Sequence, residues 1–190
     1  MILPIHVYGS ESLRRETPPI TENSDELQTL IGDMIETMRA ADGIGLAAPQ
    51  VGRSERLFVL DLEPMREEIE AAGAALPEQP MVLINPEIVW ESGAVCDLEE
   101  GCLSLPEIRE TVTRPESVRL RYRGRDFEEH ELEADDMLAR AVQHELDHLD
   151  GVLFTDHISA FRRRLLKRSL REMAEGKVEA PYPLALPERA

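Results

Sequence analysis

The heptapeptide QHELDHL at 143–149 restricts what this chain can fold into more than any other stretch. We interpret the run 135–149 as a helix, on which residues four apart lie one turn apart on the same face. His144 and His148 have this spacing, so both imidazoles can reach one metal ion. Glu145 follows the first histidine and, having no ligand role, is available to move protons at the same ion. The sequence therefore predicts a metal-binding helix.

A plainer interpretation of the same helix is a solvated acidic surface helix with two histidines, because short motifs often match by chance. The apolar side of the helix argues against it. Met137 and Ala141 fall on the stripe that carries both histidines, as a substrate pocket beside a metal ion requires. A catalytic site of this kind usually has a third protein ligand, which has to come from another part of the chain.

The composition indicates a folded domain that keeps its thiols reduced. The chain has 190 residues, 42% of them hydrophobic, which is enough for a sizeable core. It has two cysteines, starts with MILPIHVYG, which lacks the features of a signal peptide, and contains no run of about 20 apolar residues. We therefore expect a cytoplasmic protein without a membrane span. The net charge of −17 makes binding to DNA unfavourable.

Strand and helix signals follow one another irregularly, without a repeated βαβ pattern. Apolar residues with helical spacing follow Asn23, which we expect to cap an N-terminal helix, and a basic C-terminal helix is expected over 158–175. We therefore predict an α+β fold with mainly antiparallel short sheets packed around the metal-binding helix. Residues 1–175 would form a single catalytic domain and 176–190 a loose, proline-rich tail. Strand signals occur over 2–8, 56–62, 81–84, 87–90, 112–122 and 127–132.

Two loops supply candidates for the rest of the site. GIGLAAPQVG at 43–52 lacks the pattern of a phosphate-binding loop, and its Gln50 carries an uncharged amide that donates hydrogen bonds. EGCLSLP at 100–106 contains Cys102, which is either a buried structural thiol or the missing ligand. A thiolate with two imidazoles leaves one coordination position open for water.

Such a site predicts the hydrolysis of an amide. A water molecule on the metal loses a proton near neutral pH, and the resulting hydroxide attacks a carbonyl carbon. Glu145 would act as the general acid/base and pass the proton to the leaving amine. The oxyanion that forms needs preorganised donors, for which the Gln50 amide and the Leu103 backbone N–H are suited.

In this order, GIGLAAPQVG, EGCLSLP and QHELDHLDG resemble the three motifs of the peptide deformylases. The resemblance implies removal of the formyl group from the N-terminal formyl-methionine of newly made proteins, with release of formate. The family commonly works with ferrous iron and accepts zinc, nickel or cobalt. The resemblance places the metal on Cys102, His144 and His148, acid/base catalysis on Glu145, oxyanion stabilisation on Gln50 and the Leu103 amide, and the substrate beside Ile44 and Gly45.

The same resemblance suggests how the substrate is selected. We expect an apolar pocket for the methionine side chain, formed by Met137 and Ala141 with Ile44 and Leu98. Arg140 departs from the family, which often has an aliphatic residue there. We expect its side chain to reach outward and pair with surface acids, because long basic side chains usually do so. The alternative is a position at the rim of the pocket.

Two other functions stay open at this point. A metallopeptidase would use the same HExxH residues on a peptide bond, although a cysteine ligand is unusual in that class. A non-catalytic binding protein would use zinc to stabilise its fold, which requires a closed set of four ligands. Asp147 and Cys96 are near the motifs in sequence, but neither is an evident fourth ligand.

The basic helix differs in charge from the rest of the chain, because residues 158–172 contain six Lys or Arg and one Glu. We expect its basic half to face outward and to dock weakly onto ribosomal RNA in a salt-dependent way. The alternative is a solvated face that pairs with the protein's own acids. The apolar half that we expect to pack on the domain consists of Ile158, Phe161, Leu165, Leu166, Leu170 and Met173.

Overall fold

The computed structural model of the chain describes residues 1–187 and confirms the α+β fold. Within residues 1–187, none of the helices combines the length and the hydrophobicity that a membrane span requires. The helices are α1 (Asp25–Ala40), α2 (Arg66–Ala71), α3 (Asp136–Leu149) and α4 (Ala160–Ala174). The strands are β1 (Ile5–His6), β2 (Gly45–Ala47), β3 (Leu57–Leu60), β4 (Met81–Glu91), β5 (Val95–Cys102), β6 (Leu105–Pro115), β7 (Ser117–Arg123), β8 (Glu129–Asp135) and β9 (Leu184–Ala185).

The strands form one large sheet and two small pairs. The large sheet is antiparallel throughout and has the strand order β2-β3-β4-β7-β8. β5 and β6 form a separate antiparallel hairpin, and β1 pairs with β9 in parallel. The predominance of antiparallel pairs follows from the short connections between neighbouring strands, because parallel neighbours need a long crossover.

Helices α1 and α3 pack on opposite faces of the large sheet. β3 shows this arrangement, because successive side chains of a strand point to opposite faces. Phe58 and Leu60 pack in the same cluster as the apolar side of α3, whereas Leu57 and Val59 pack with that of α1. All four side chains are fully buried, and each contributes about 1.5–3 kcal/mol relative to an exposed position. The metal-binding helix is thus held against a rigid sheet.

The N-terminal helix α1 begins at a different cap from the one predicted. Ser24 is the N-cap, and its Oγ accepts a hydrogen bond from the Leu27 N–H at 3.1 Å. Asn23 instead accepts a hydrogen bond from the side chain of Gln28, so its assignment as the cap is wrong by one residue. The apolar stripe predicted for this helix is buried, which confirms its orientation.

The C-terminal segment is attached to the body, and the expectation of a loose tail is wrong for residues 176–187. Leu184 and Ala185 pair with β1. The hydroxyl of Tyr182 donates a hydrogen bond to the carbonyl of Leu103 at 2.9 Å. Backbone pairing and a half-buried aromatic ring hold the segment in place. The paired N–H and C=O groups have their hydrogen-bond partners within the protein and do not need water for this purpose. The rest of the predicted tail, residues 188–190, lies outside the described residues.

Helix α4 packs on the body through its C-terminal half. Leu170 and Met173 are buried in a cluster with Phe154. Phe161 and Leu165, in contrast, are 69% and 59% exposed. The expectation that the complete apolar half packs on the domain is therefore wrong. The reason is geometric. The hydrophobic cluster around Phe154 contacts the later turns of α4 but does not extend to its first turns.

Candidate active site

Two elements bring together the three predicted metal ligands. Cys102 ends β5, whereas His144 and His148 lie on α3. The Sγ of Cys102 lies 3.2 Å from Nε2 of His148, and one ligand atom from each of the three residues lies within 4.8 Å of the other two. The centroids of the imidazole rings are 5.1 Å apart, as a four-residue spacing on a helix predicts.

The chemistry of this cluster fits a divalent transition metal. Burial raises the pKa of the Cys102 thiol, but the imidazoles of His148 and His144 more than offset this and lower the pKa to about 5. The sulfur is therefore a thiolate at neutral pH, which is the form that binds metals. Within residues 1–187 the group has no fourth side chain, so it lacks the closed ligand set of a structural zinc site.

Glu100 orients one of the ligands. Its Oε2 lies 2.8 Å from Nδ1 of His144, so the imidazole donates from Nδ1 and keeps Nε2 as the acceptor for a metal. The Glu100 side chain is almost completely buried. Burial raises its pKa, but hydrogen bonds from His144 and Arg114 hold the pKa well below its usual range. Glu100 is thus a charged partner behind the metal ligand.

Arg140 is buried beside Glu100, so the expectation that it reaches outward is wrong. It is 5% exposed, and its Nη1 donates to Oε1 of Glu100 and to the Val112 carbonyl, each at 2.8 Å. Its Nη2 donates to the Cys96 carbonyl at 2.8 Å. A buried carboxylate needs a countercharge, and the planar guanidinium fits several fixed acceptors at once. The acceptors lie on β5 and β6, far from Arg140 in sequence, so no local signal marks them.

Glu145 lies at the wall of the site and is almost completely buried. Burial raises its pKa to about 7, although the imidazoles of His144 and His148 act in the opposite direction. Its Oε2 has no hydrogen-bond partner among the described residues. The absence of a side chain at Gly45 makes room for this carboxylate, because a Cβ there would overlap Oε1 of Glu145. The arrangement suits a group that gains and loses a proton near neutral pH.

Gln50 and Leu103 flank Cys102, as predicted. Gln50 is 1% exposed, and its Nε2 lies 3.4 Å from the Cys102 Sγ and 3.2 Å from the Ser104 Oγ. Its Oε1 accepts a hydrogen bond from the Ala47 N–H at 2.8 Å, which fixes the amide with its NH₂ group towards the ligand loop. Leu103 directly follows the metal ligand in the turn between β5 and β6. Leu103 also lines the cavity.

A cavity of about 460 Å³ opens beside the ligands. Four of the residues predicted to contact substrate line it, namely Ile44, Gly45, Met137 and Ala141. Leu98 is not among its lining residues and is half-buried on β5 instead, so the structure does not bring it to the cavity. Several lining residues were not predicted, because they come from distant segments that carry no motif; they include Met65, Ile108 and Tyr182. Arg140 also lines the cavity, which was the alternative position considered for it.

Known proteins resemble this chain along almost its full length. Residues 2–164 match the family model described as polypeptide deformylase. The peptide deformylase of Salinibacter ruber is 67% identical over 184 residues, which cover 97% of this chain and 94% of that protein. The peptide deformylase of Chlorobium phaeobacteroides (strain BS1) is 47% identical over 188 residues, which cover 99% of this chain and 97% of that protein.

Solved structures agree with the sequence relatives. The crystal structure of a peptide deformylase from Legionella pneumophila matches with a TM-score of 0.81 at 37% identity, covering 93% of this chain and 98% of that one. The enzyme from Synechococcus elongatus in complex with actinonin matches with a TM-score of 0.78 at 39% identity, covering 96% of this chain and 92% of that one. Neither the metallopeptidase nor the non-catalytic zinc protein is supported by these relatives. The chain belongs to the peptide deformylase family and removes the formyl group from nascent peptides in a metal-dependent reaction.

Proposed function

We propose that Cys102, His144 and His148 hold the metal ion, and that Glu145 and Gln50, with the Leu103 N–H, act on the formyl group beside it. One observation carries the proposal. The three ligand atoms converge within 4.8 Å of one another, and two of the ligands, Cys102 and His144, line a cavity that Glu145 also lines. The proposed proton carrier and the proposed metal ligands therefore lie together beside space for a substrate.

The reaction breaks the C–N bond of a formamide and adds the elements of water. A divalent cation in this cluster supplies Lewis acidity, which polarises the formyl oxygen and lowers the pKa of water. Glu145 takes up the proton that the attacking water loses, because its carboxylate lines the cavity and its Oε2 has no hydrogen-bond partner among the described residues. It then gives this proton to the leaving nitrogen, so that formate and a free α-amino group are released.

Gln50 and Leu103 stabilise the negative charge that develops on the formyl oxygen. Donors of this kind are effective when they are fixed before the reaction, because no reorganisation is then needed in the transition state. The hydrogen bond from the Ala47 N–H to Gln50 provides such fixing for the amide. The methionine side chain occupies the cavity against Met137 and Ala141.

The proposal also covers the identity of the metal ion and the cellular location of the enzyme. Ferrous iron is the ion used in the cell, and zinc, nickel or cobalt can replace it. A thiolate with two imidazoles binds all four, so availability decides as much as affinity. The enzyme works in the cytoplasm as a single catalytic domain, where formyl-methionine nascent chains are made.

The test measures metal content and formate release from a formyl-methionyl tripeptide on the same anaerobic preparation. His148→Ala should lose metal and activity together. Glu145→Gln should keep the metal and lose activity by roughly 10²–10⁴-fold, the usual contribution of general acid/base catalysis. His130→Ala, on the exposed strand β8, serves as the control. Full metal content in His148→Ala, or near-normal turnover in Glu145→Gln, would contradict the assignment.

We also propose that α4 docks on the ribosome surface through its basic residues. Four of the six basic residues of this helix pair with acidic side chains within 4.0 Å, namely Arg162, Arg163, Arg168 and Arg171. Arg164 and Lys167, in contrast, have no acidic partner within 4.0 Å among residues 1–187, and the first turns of the helix stand exposed. Unpaired basic side chains on an otherwise acidic protein favour contact with phosphate groups.

A further inference from the structure

We propose that Tyr182, in the C-terminal segment, is a positioning residue of the active site that holds the Leu103 backbone in place. This inference rests on the proposed role of the Leu103 N–H as an oxyanion donor. The family match ends at residue 164, so Tyr182 lies outside the part of the chain on which that match depends.

The contact between the two residues is direct. The hydroxyl of Tyr182 donates to the carbonyl of Leu103 at 2.9 Å, and the two side chains pack at the edge of the same hydrophobic cluster. Both residues also line the cavity. Burial, with a smaller effect of the Cys102 charge, raises the pKa of Tyr182 to about 12. The hydroxyl therefore stays protonated and remains a donor over the working pH range.

Leu103 is held from its other side as well. A Cβ at Gly43 would meet the Cδ1 of Leu103 at 2.7 Å, so this side chain packs closely on the glycine backbone. With the side chain fixed by Gly43 and the carbonyl fixed by Tyr182, the residue has little freedom to rotate about its backbone bonds. The carbonyl belongs to the peptide unit that follows the Cα of Leu103 and the N–H to the one that precedes it, so these contacts restrain the N–H through that Cα. A donor that is restrained before a substrate arrives stabilises an oxyanion more effectively.

The neighbouring residue Ser104 is restrained in the same manner. Its carbonyl accepts a hydrogen bond from the Tyr8 N–H at 2.9 Å, and its Oγ accepts one from Gln50 at 3.2 Å. Tyr8 and Tyr182 thus hold consecutive carbonyls of the loop that follows the cysteine ligand. One restraint comes from the N-terminal segment of the chain and the other from the C-terminal segment.

These two segments are joined to each other. Ile5 pairs with Leu184 in the short parallel pair of β1 and β9, and the Ile5 N–H donates to the Pro183 carbonyl at 2.9 Å. Gly9, with a φ of +101°, lies so close to α4 that a Cβ would meet the Cα of Ala174 at 2.8 Å. The chain is thus held by close backbone contacts both before Tyr182, at Ala174, and after it, at Pro183 and Leu184. These contacts keep Tyr182 close to Leu103.

The critical variant is Tyr182→Phe, which removes the hydroxyl and keeps the ring in the cavity wall. A single hydrogen bond of this kind is worth enough to change a rate roughly threefold to tenfold. We expect kcat to fall by that factor for a formyl-methionyl tripeptide. KM should change less than about twofold, because a donor that acts in the transition state contributes little to ground-state binding. Metal content should be unchanged.

A second measurement separates positioning from a general loss of structure. Hydrogen exchange of the Leu103 amide, followed by NMR on the zinc form, should accelerate in Tyr182→Phe while exchange in α3 stays the same. Tyr122→Phe is the matched control, since Tyr122 is also half-buried but lies on β7 and does not line the cavity. It should leave both kcat and the exchange of the Leu103 amide unchanged.

The outcomes are distinct. Wild-type kcat together with wild-type exchange at Leu103 in Tyr182→Phe would overturn the inference. Faster exchange without a fall in kcat would also overturn it, because the restraint would then have no catalytic effect. If Glu145→Gln kept near-normal turnover or His148→Ala kept its metal, the proposed site assignment would fail instead, whereas the exchange experiment would still report whether Tyr182 restrains the loop.

Discussion

Gly45, which has no side chain, makes room for Glu145, the residue proposed to carry the proton. Because a Cβ at this position would overlap Oε1 of Glu145, Gly45→Ala should turn the carboxylate away from the cavity. We expect kcat to fall by roughly 10²-fold, the effect of a displacement of about 1 Å at a reacting group, while metal content stays normal. Gly32→Ala is the control, since a Cβ there meets nothing within 4 Å. Unchanged turnover in Gly45→Ala would show that the overlap is relieved elsewhere.

We expect Ala141 to limit the size of the pocket for the substrate side chain. It lines the cavity and is nearly buried, so Ala141→Leu should fill space that a methionine side chain needs. One methylene group changes discrimination by about 1–3 kcal/mol, so kcat/KM for a formyl-methionyl peptide should fall at least tenfold. The value for a formyl-glycyl peptide should change little. Leu98→Ala should preserve the preference of the wild type, and equal losses for both peptides in Ala141→Leu would argue against the pocket.

The sequence indicated which candidate site residues lie together most readily where the relation between them is local. His144 and His148 are one helical turn apart, and Gln50, Cys102 and Leu103 lie inside contiguous motifs. Arg140 and Tyr182 were not predicted in their places, because their partners come from other elements. The Tyr182 hydroxyl, for example, bonds to a carbonyl 79 residues away in sequence.

At the scale of elements, Arg140 joins α3 to the β5–β6 hairpin. Arg140→Leu would remove a countercharge from Glu100 and leave the carbonyls of Val112 and Cys96 without this donor. We expect a loss of about 3–5 kcal/mol in the free energy of unfolding, as for other broken buried ion pairs. Denaturant unfolding of the metal-loaded protein measures this loss.

The control for Arg140→Leu is Arg119→Leu, which breaks the exposed pair between Arg119 and Glu133. An exposed pair contributes about 0–1 kcal/mol, so this variant should stay close to wild type. A loss of the same small size in both variants would mean that the buried network does not stabilise the protein.

Asp156 links the turn after α3 to the N-terminal segment and predicts a pH effect. Burial raises its pKa, but the hydrogen bonds from Arg14 and the Leu153 N–H outweigh this and lower it. In the unfolded chain the pKa of Asp156 is near 3.8, and in the folded protein it is lower. Ionised Asp156 therefore stabilises the folded protein at any pH above 3.8, and this stabilisation is lost as the pH falls through the lower, folded-state pKa. At pH 7, Asp156→Asn should therefore be less stable than wild type by up to about 1 kcal/mol, because the pair is partly exposed.

The measurement for Asp156 is urea unfolding between pH 7 and pH 3. The gap between wild type and Asp156→Asn should close as the pH falls below about 4. Arg14→Gln, alone and combined with Asp156→Asn, completes a double-mutant cycle that isolates the pair. A gap that is constant with pH would assign the effect to the hydrogen bond with Leu153 instead of to charge.

The helices were easier to predict than the hairpin beside the metal. The apolar stripes of α1 and α3 have regular helical spacing, and both helices are present. β5 was not predicted as a strand, because the position that faces inward at 100 is a glutamate and interrupts the apolar alternation. The predicted strand 112–122 is divided at Glu116 between β6 and β7. At position 100 the strand therefore carries a buried glutamate, paired with Arg114 and Arg140, where an alternating pattern would have an apolar residue.

At the scale of the whole molecule, the basic residues of α4 predict a salt-dependent association with ribosomes. Charge reversal at Arg164 and Lys167 should weaken co-sedimentation with ribosomes and leave turnover of a short formyl peptide unchanged. The slope of log affinity against log salt should fall by about one unit for each phosphate group that the variant no longer neutralises. Charge reversal at Arg119 and Arg121, on strand β7 of the large sheet, is the control. Ribosome binding that does not change with salt would contradict the docking proposal.

The overall architecture was predicted from the mixture of short strands and separated helices, since that mixture excludes regular βαβ winding. The parallel pairing of β1 with β9 was not predicted. Each strand has only two residues, and nothing in its local sequence specifies a partner at the opposite end of the chain. The same limitation explains why the segment after α4 was expected to be loose. Its restraints are all long-range interactions.

The position of β9 in the sequence affects the order in which the parts of the active site are completed during synthesis. β9 and Tyr182 follow every other element of the fold along the chain, so translation delivers them after the metal ligands, the cavity walls and the sheet. A partly synthesised copy can therefore contain all three ligands while the loop at Leu103 still lacks its last restraint. An enzyme that acts on growing polypeptides would thus finish its own catalytic loop only when its own C-terminal segment has left the ribosome.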